Sequence, residues 1–386
     1  MPLSPIRKLT PLANEAKRQG VKVYHLNIGQ PDVESPAKAI EAIRSIDRKT
    51  LEYSPSDGFP SLRQKLTGYY SKFGIDVKAD DILVTAGGSE AILMAFMACL
   101  NPGDELLVTE PCYANYITLA VEAGVNVVSV SSKIEDNFAL PPIEAFEEAI
   151  TPLTRGILLC NPSNPTGYVY SPKELLQLKK IVEKYDLFLF SDEVYREFVY
   201  TDEPFLSAMA LGLENNVVLL DSVSKRYSEC GIRVGMIVTK NQAVKDILMK
   251  YCQARLSPPL LGQIAAEASI EGVEDYLAAV HDEYKARRDF FIKRLNSIPG
   301  VHSPMPHGAF YTVASLPVED SEDFCRWCLT TFRDKGETVM MAPASGFYRH
   351  PGMGRNQVRL AYVLKIEDLA RALDILEAAL KAYISR

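Results

Sequence analysis

Between residues 80 and 239 the chain alternates short, continuously apolar runs with amphipathic segments, and few architectures accommodate that pattern. DDILVTA (80–86) leads into GGSEAILMAFMACL, DELLVTE (104–110) into YANYITLAVEAG, and NVVSVSS (126–132) into PPIEAFEEAI. RGILLC (155–160) precedes SPKELLQLKKIVEKYD (171–186), whose Ser-Pro opening is a helix-start signal. LFLFSDEVY (187–195), NVVLLDSVSK (216–225) and RVGMIVT (233–239) are further strand candidates. A strand that is apolar on both faces must be covered on both faces. The prediction is therefore an α/β fold whose mostly parallel, mixed sheet is sandwiched by helices. Ligands of such sheets gather at the carboxyl ends of the strands.

From about residue 265 the pattern changes. The charged stretch GVEDYLAAVHDEYKARRDFFIKRLNSI reads as a long helix. It leads to an α+β region with GAFYTVA, TVMMAPAS and QVRLAYV as strands, closed by the helical EDLARALDILEAALKAYI. The segment before residue 40 is too short to fold alone and is expected to pack on this second unit. The predicted division is a large domain at 40–285 and a smaller α+β domain built from 1–39 and 286–386.

A net charge of −7 argues against nucleic-acid or acidic-membrane partners, which need a basic face. No run approaches the ~20 apolar residues of a membrane span. The opening MPLSPIRKLTPLANEAKRQG has no apolar core, so no secretory signal is expected and the cytoplasm is the default compartment. Seven cysteines without framework spacing suit reduced thiols. Cys325 and Cys328 form a CxxC, but no second ligand pair accompanies them. They read as a helix face used for packing, and no metal site is expected.

Four clusters at strand ends carry chemistry. GGSEA (87–91) opens a helix directly after a strand, where free N–H groups hold anions, although the same Gly-Gly also suits a simple tight connection. NPSNPTG (161–167) is a turn with two asparagines, and taken alone it is only a loop. SDEVY (191–195) places Asp192 at the end of a buried strand, where a carboxylate is costly unless it meets a cation; an N-cap or internal salt bridge would serve equally. DSVSKRYSECGIRVG (221–235) sets Lys225 among Ser222, Gly231 and Arg233. A hydroxyl and a guanidinium fork suit a phosphate. Nearby cations and scarce water should push the Lys225 ammonium down in pKa, toward a nucleophilic amine. A phosphate, an aldehyde that meets a lysine and a ring nitrogen that wants a carboxylate together describe pyridoxal 5'-phosphate.

In this order, from NIGQPD (27–32) to QVRLAY (357–362), the motifs resemble those of class I/II aminotransferases of fold type I, of the aspartate aminotransferase-like kind. The resemblance implies that Lys225 forms the imine with the cofactor aldehyde and later moves the substrate's proton. It implies that Asp192 pairs with the pyridine nitrogen, that Tyr195 and Asn164 hydrogen-bond the ring oxygen, and that Tyr113 stacks on the ring. Gly88, Ser89, Ser222 and Arg233 would hold the phosphate. Arg359 would take the substrate α-carboxylate in a bidentate fork, with Gly29 allowing the backbone to approach it. Tyr53 corresponds to a tyrosine that reaches the phosphate of the neighbouring subunit, so a homodimer with shared active sites is implied.

Two departures bear on specificity. Ser89 stands where acid-specific relatives often carry a lysine, which weakens an aspartate assignment. Ala344 in APASGF replaces the glycine of a P-G-x-x-F motif near the pocket mouth. Arg255, Arg349 and Arg355 remain candidates for a second carboxylate site. The expected activity is amino-group transfer from an L-amino acid to a 2-oxo acid, 2-oxoglutarate by default, with aspartate as the family's commonest donor. Aromatic or neutral donors and a carbon–sulfur β-lyase are the alternatives. A transcription regulator would need a DNA-binding module ahead of Asn27, where there is too little chain.

Overall fold

The computed structural model describes residues 4–386; residues 1–3 of the predicted small domain lie outside the described residues. Seven strands form the main sheet, in the spatial order Ile82–Thr85, Gly235–Val238, Val217–Ser222, Phe188–Asp192, Thr154–Cys160, Glu105–Glu110, Asn126–Ser131. Gly235–Val238 runs antiparallel to both of its neighbours, and every other pairing is parallel. The apolar runs are the strands, with ends shifted by up to three residues. Ile82, Leu106, Leu158, Leu189, Leu219 and Ile237 are all essentially inaccessible to water, as strands covered on both faces require.

Helices follow the strands as their local chemistry directs. Pro172–Tyr185 begins with a capping box: Ser171 accepts from the Glu174 amide while the Glu174 carboxylate takes the Ser171 amide. Leu175, Leu178, Ile181 and Val182 face the sheet. Gly88–Cys99 starts two residues beyond the strand Ile82–Thr85 and is apolar on most sides, because it passes through the core.

The remaining sheets are small. Lys22–His25 pairs in parallel with Glu337–Met340. Gln357–Ala361 is the middle strand of an antiparallel trio, between Ala342–Pro343 and Tyr311–Ser315. The amino-terminal helix Thr10–Arg18 lies against Ser321–Thr330, whereas Ala37–Arg44 packs on Leu260–Ala268. Glu274–Leu295 is one unbroken helix of 22 residues, running through position 285. Cys325 and Cys328 sit inside the helix Ser321–Thr330, fully buried and reduced, and burial pushes both thiols up. Their role is packing.

Candidate active site

The carboxyl ends of Thr154–Cys160, Phe188–Asp192 and Val217–Ser222 are neighbours in the sheet. That adjacency gathers three of the four motifs. Asp192 ends its strand 6% exposed, accepting from the Tyr116 hydroxyl at 2.5 Å and from the Val194 amide at 3.4 Å. It forms no ion pair with any described residue. Burial pushes its carboxyl up to about 6, although Tyr116, Val194 and Lys225 all favour the ionised form.

Lys225 lies in a single helical turn, Val223–Arg226, capped by Ser222, whose hydroxyl accepts from the Ser224 amide. Its Nζ reaches across to the Gly29 carbonyl at 2.9 Å. Here the sequence expectation is corrected. Burial does disfavour the ammonium, but the nearby acidic groups Tyr311, Cys230 and Tyr113 outweigh it, and Lys225 is held above the ordinary lysine value. The cation expected to depress it does not bear on it: Arg233 bonds back to the Cys230 carbonyl at 2.9 Å and points at the Gly87–Gly88 turn.

That turn and Arg233 form a cradle. Gly87 adopts φ +88, and a Cβ there would stand 2.3 Å from the Arg233 guanidinium, so only glycine allows this approach. A Cβ on Gly88 would lie 3.8 Å from Ser222 Cβ. Arg233 itself has left-handed backbone at φ 56, a strain that a non-glycine residue bears only where its surroundings dictate it. The free amides at the start of a 12-residue helix and a guanidinium thus converge, and the carboxylate of the first turn, Glu90, is taken by Arg255 and the Ala86 amide. Ser89 follows on the exposed side of this helix's first turn.

Arg359 is fully buried on the middle strand of the antiparallel trio. Its Nη1 donates to Asn164 Oδ1 at 3.2 Å and its Nη2 to the Asn27 carbonyl, while Nε has no partner. No described carboxylate neutralises it, and burial holds it below the ordinary arginine value. Asn164 also donates to the Tyr195 hydroxyl at 3.5 Å. Tyr113 caps the helix Ala114–Glu122, edge-on to Tyr116, close enough to Lys225, Arg359 and Asp192 to feel their charges.

The family profile described as Aminotransferase class I and II matches residues 21–376. The chain is 32% identical over 371 residues to an aspartate aminotransferase of Pyrococcus horikoshii, covering 93% of this chain and 91% of that one. Its fold superposes on an alanine aminotransferase of Pyrococcus furiosus with a TM-score of 0.91, at 32% identity over 98% of each chain. An aspartate aminotransferase of Thermotoga maritima gives 0.90, at 30% identity over 98% of each chain.

The chain belongs to the class I and II aminotransferases.

Within this aminotransferase, the structure brings Lys225, Asp192, Tyr195, Asn164, Tyr113, Gly29 and Arg359 to one end of the sheet, with Gly88, Ser222 and Arg233 beside them. Tyr53 is not among them: it lies in an extended segment, 75% exposed. Gly29 does not face an open approach, because a Cβ there would stand 1.8 Å from the Tyr311 hydroxyl. The three arginines also separate. Arg255 is taken by Glu90 at 3.0 Å and by the Ser56 and Val84 carbonyls, Arg349 is exposed, and Arg355 sits 3.4 Å from Asp320, largely in water. Ala344 is the buried first residue of a short 3-10 turn, Ala344–Phe347, whose Phe347 ring lies 5.1 Å from the Arg359 guanidinium. Sequence reasoning missed Tyr311, Tyr116 and Asn27. Tyr116 stands three residues after Tyr113 at the start of a helix, a spacing that was a usable signal. Tyr311 and Asn27 enter through long-range contacts that no local pattern announces.

Proposed function

We propose that this aminotransferase holds pyridoxal 5'-phosphate at the strand ends and transfers amino groups between L-amino acids and 2-oxo acids. The observation that carries the reading is a pair of buried charges without counter-ions, Asp192 and Arg359, both within electrostatic reach of a lysine bonded only to a carbonyl oxygen. Each fits one part of the ligands: a protonated ring nitrogen for Asp192, a carboxylate for Arg359. The Gly87–Gly88 turn and Arg233 would hold the phosphate, with Ser89 at the helix start beside them and Ser222 joining once its hydroxyl leaves the Val234 carbonyl, to which it donates at 2.8 Å. When bound, the cofactor supplies an electrophilic aldehyde and a ring that accepts electron density.

The chain's own groups do the rest. Arg359 grips the substrate carboxylate and thereby aims the Cα–H bond. Lys225 carries the proton from that carbon, its charge tuned by Tyr311 and Tyr113. Asp192 keeps the ring-nitrogen proton in place, and burial makes this exchange favourable because it ends the isolation of the carboxylate. Tyr195 and Asn164 would donate to the ring oxygen, and Tyr113 would cover the ring and limit water.

Residues 40–285 would then form the cofactor-binding domain, with 1–39 and 286–386 as the substrate-capping domain. A homodimer is supported by the apolar surface around Tyr53. Leu51 and Tyr53 are exposed, and Ser54 and Ser56 anchor their segment to the carbonyls of Pro258 and Leu256, beside exposed Leu256 and Leu261. In that assembly Tyr53 would reach the partner's phosphate. No described helix is long and apolar enough to cross a membrane, and a cytoplasmic location accords with the reduced cysteines.

For the donor, a reading toward neutral or aromatic amino acids is favoured over aspartate. Tyr113, Tyr195, Tyr311 and Phe347 surround the arginine and lysine, and Arg255 is already paired with Glu90. Most of the named relatives are aspartate aminotransferases, in line with the aspartate default. An alanine aminotransferase nonetheless matches at the same identity as the first of them, so the donor screen decides. The test is borohydride reduction of purified protein followed by peptide mass analysis, then a donor screen with 2-oxoglutarate. A cofactor mass fixed on Lys225 and keto-acid-dependent turnover are expected. Attachment elsewhere would overturn the site, and turnover independent of a keto acid would indicate an eliminating lyase.

A further inference from the structure

Tyr311 bears on the charge of Lys225, and its contacts reach Tyr195, Gly29 and Arg359. It pairs with Ala361 across the antiparallel trio, which places it diagonally from Arg359 on the same face. Its ring lies 4.8 Å from the Arg359 guanidinium, and Phe347 lies over the same group. Its hydroxyl is 3.1 Å from that of Tyr195 and 3.3 Å from the Gly29 carbonyl, the acceptor that also takes Lys225.

These contacts form one chain whose direction is set by its ends. A guanidinium only donates and a carbonyl only accepts. Arg359 gives to Asn164 Oδ1, and the Asn164 amide gives to Tyr195. Tyr311 gives its single proton to Gly29, so Tyr195 must give its own to Tyr311. Gly29 permits this because any side chain there would occupy the place of the Tyr311 hydroxyl.

We propose that Tyr311 is a positioning residue that couples the two halves of the site: its ring fixes the plane of Arg359, and its hydroxyl sets where the Tyr195 proton points. The proposal rests on the pyridoxal-phosphate reading above. When Tyr195 turns its proton to the cofactor's ring oxygen, Tyr311 is free to donate into the oxygen that Tyr195 exposes. A polarised pair of hydroxyls is a stronger donor than one alone. It stabilises negative charge on the ring oxygen and lowers the pH at which the lysine-bound chromophore loses its proton.

Two substitutions separate ring from hydroxyl. Tyr311→Phe keeps the ring and removes the donor; Tyr311→Leu removes both. The readouts are the pH midpoint of the visible band in substrate-free, cofactor-loaded enzyme, and kcat and KM for the amino donor. Tyr311→Phe is expected to raise the midpoint by about half to one pH unit, with KM within about twofold. Tyr311→Leu should show the same rise together with a KM increase of roughly 3- to 10-fold, from the lost ring–guanidinium contact. Gly29→Ala, whose methyl displaces the Tyr311 hydroxyl, should reproduce the midpoint shift even if Tyr311→Leu fails to fold. An unchanged midpoint in Tyr311→Phe overturns the role of the hydroxyl, and an unchanged KM in folded Tyr311→Leu overturns that of the ring. A wild-type protein with no visible band would instead sink the parent reading.

Discussion

Two groups of buried charge lie side by side in this chain, and they are built on opposite plans. Asp221 is fully buried, yet Arg196 reaches it at 2.9 Å, Arg226 at 2.8 Å and Tyr70 at 2.9 Å. Burial alone would push its carboxyl up, and the two guanidiniums more than reverse that. Asp192, on the adjacent strand, has a hydroxyl and an amide but no cation, and stays raised. The same contrast separates Arg226, paired with Asp221, from Arg359, whose only polar partners are amide oxygens. A buried charge that is paired within the chain is scaffold. Asp192 and Arg359, left unpaired where the strand ends meet, fit groups that a ligand would bring.

The largest expected break in this comparison is Lys225→Ala. Turnover should fall by at least ~10²–10⁴-fold, because the proton carrier is gone. Since Lys225 has only a carbonyl partner, its loss should leave the unfolding midpoint nearly unchanged. Assayed side by side, a large loss of stability would place Lys225 with the scaffold instead.

Asp221→Ala should do the reverse. It strands the buried Arg226 guanidinium, leaves Arg196 with Glu193 alone, and should cost about 3–5 kcal/mol in denaturant unfolding. A cost below about 1 kcal/mol would show that the network is not what holds the site's floor.

Asp192→Asn sharpens the contrast, because here removal of a charge should stabilise the apoprotein. The folded carboxyl titrates at about 6 against an ordinary 3.8, so between those values the folded state keeps a proton that the unfolded chain has released. Stability therefore falls as pH rises through that window, and above it the ionised group costs about 3 kcal/mol. The variant should gain up to that amount at pH 7 and nothing near pH 4, read from urea unfolding of the cofactor-free protein. A gain independent of pH would mean that charge is not the cause.

Ser89→Lys carries the smallest effect. A charge-assisted hydrogen bond is worth about 1.5–3 kcal/mol, so kcat/KM for aspartate relative to phenylalanine should rise about 10- to 100-fold. Paired kinetics at fixed 2-oxoglutarate decide it. A ratio that does not move would remove Ser89, exposed at its helix start, from the specificity determinants.

Much of this contrast was readable before any coordinates. Asp192 and Lys225 stand out because each follows an apolar run, and Arg359 because a cation interrupts one. The failures share one cause. That Asp221 would find Arg196 and Arg226, and that Arg255 would be consumed by Glu90, depends on contacts between residues 5 to 165 positions apart. The same holds for the Lys225 ammonium. Its expected depression assumed that Arg233, eight residues on, would lie against it, but a left-handed residue sends that side chain to the Gly87 turn.

What the sequence determined alone is the set of elements and the order in which they meet. Strand periodicity, the Ser171 capping box and the glycines of tight turns are local, and local sterics need no partner to act. The tertiary structure decided which charges are neutralised, and hence which await a ligand. Coulomb energy and desolvation depend on distances across the fold: Arg359, Tyr311 and Gly29 are far apart in sequence and become one hydrogen-bonded unit only when the sheets close.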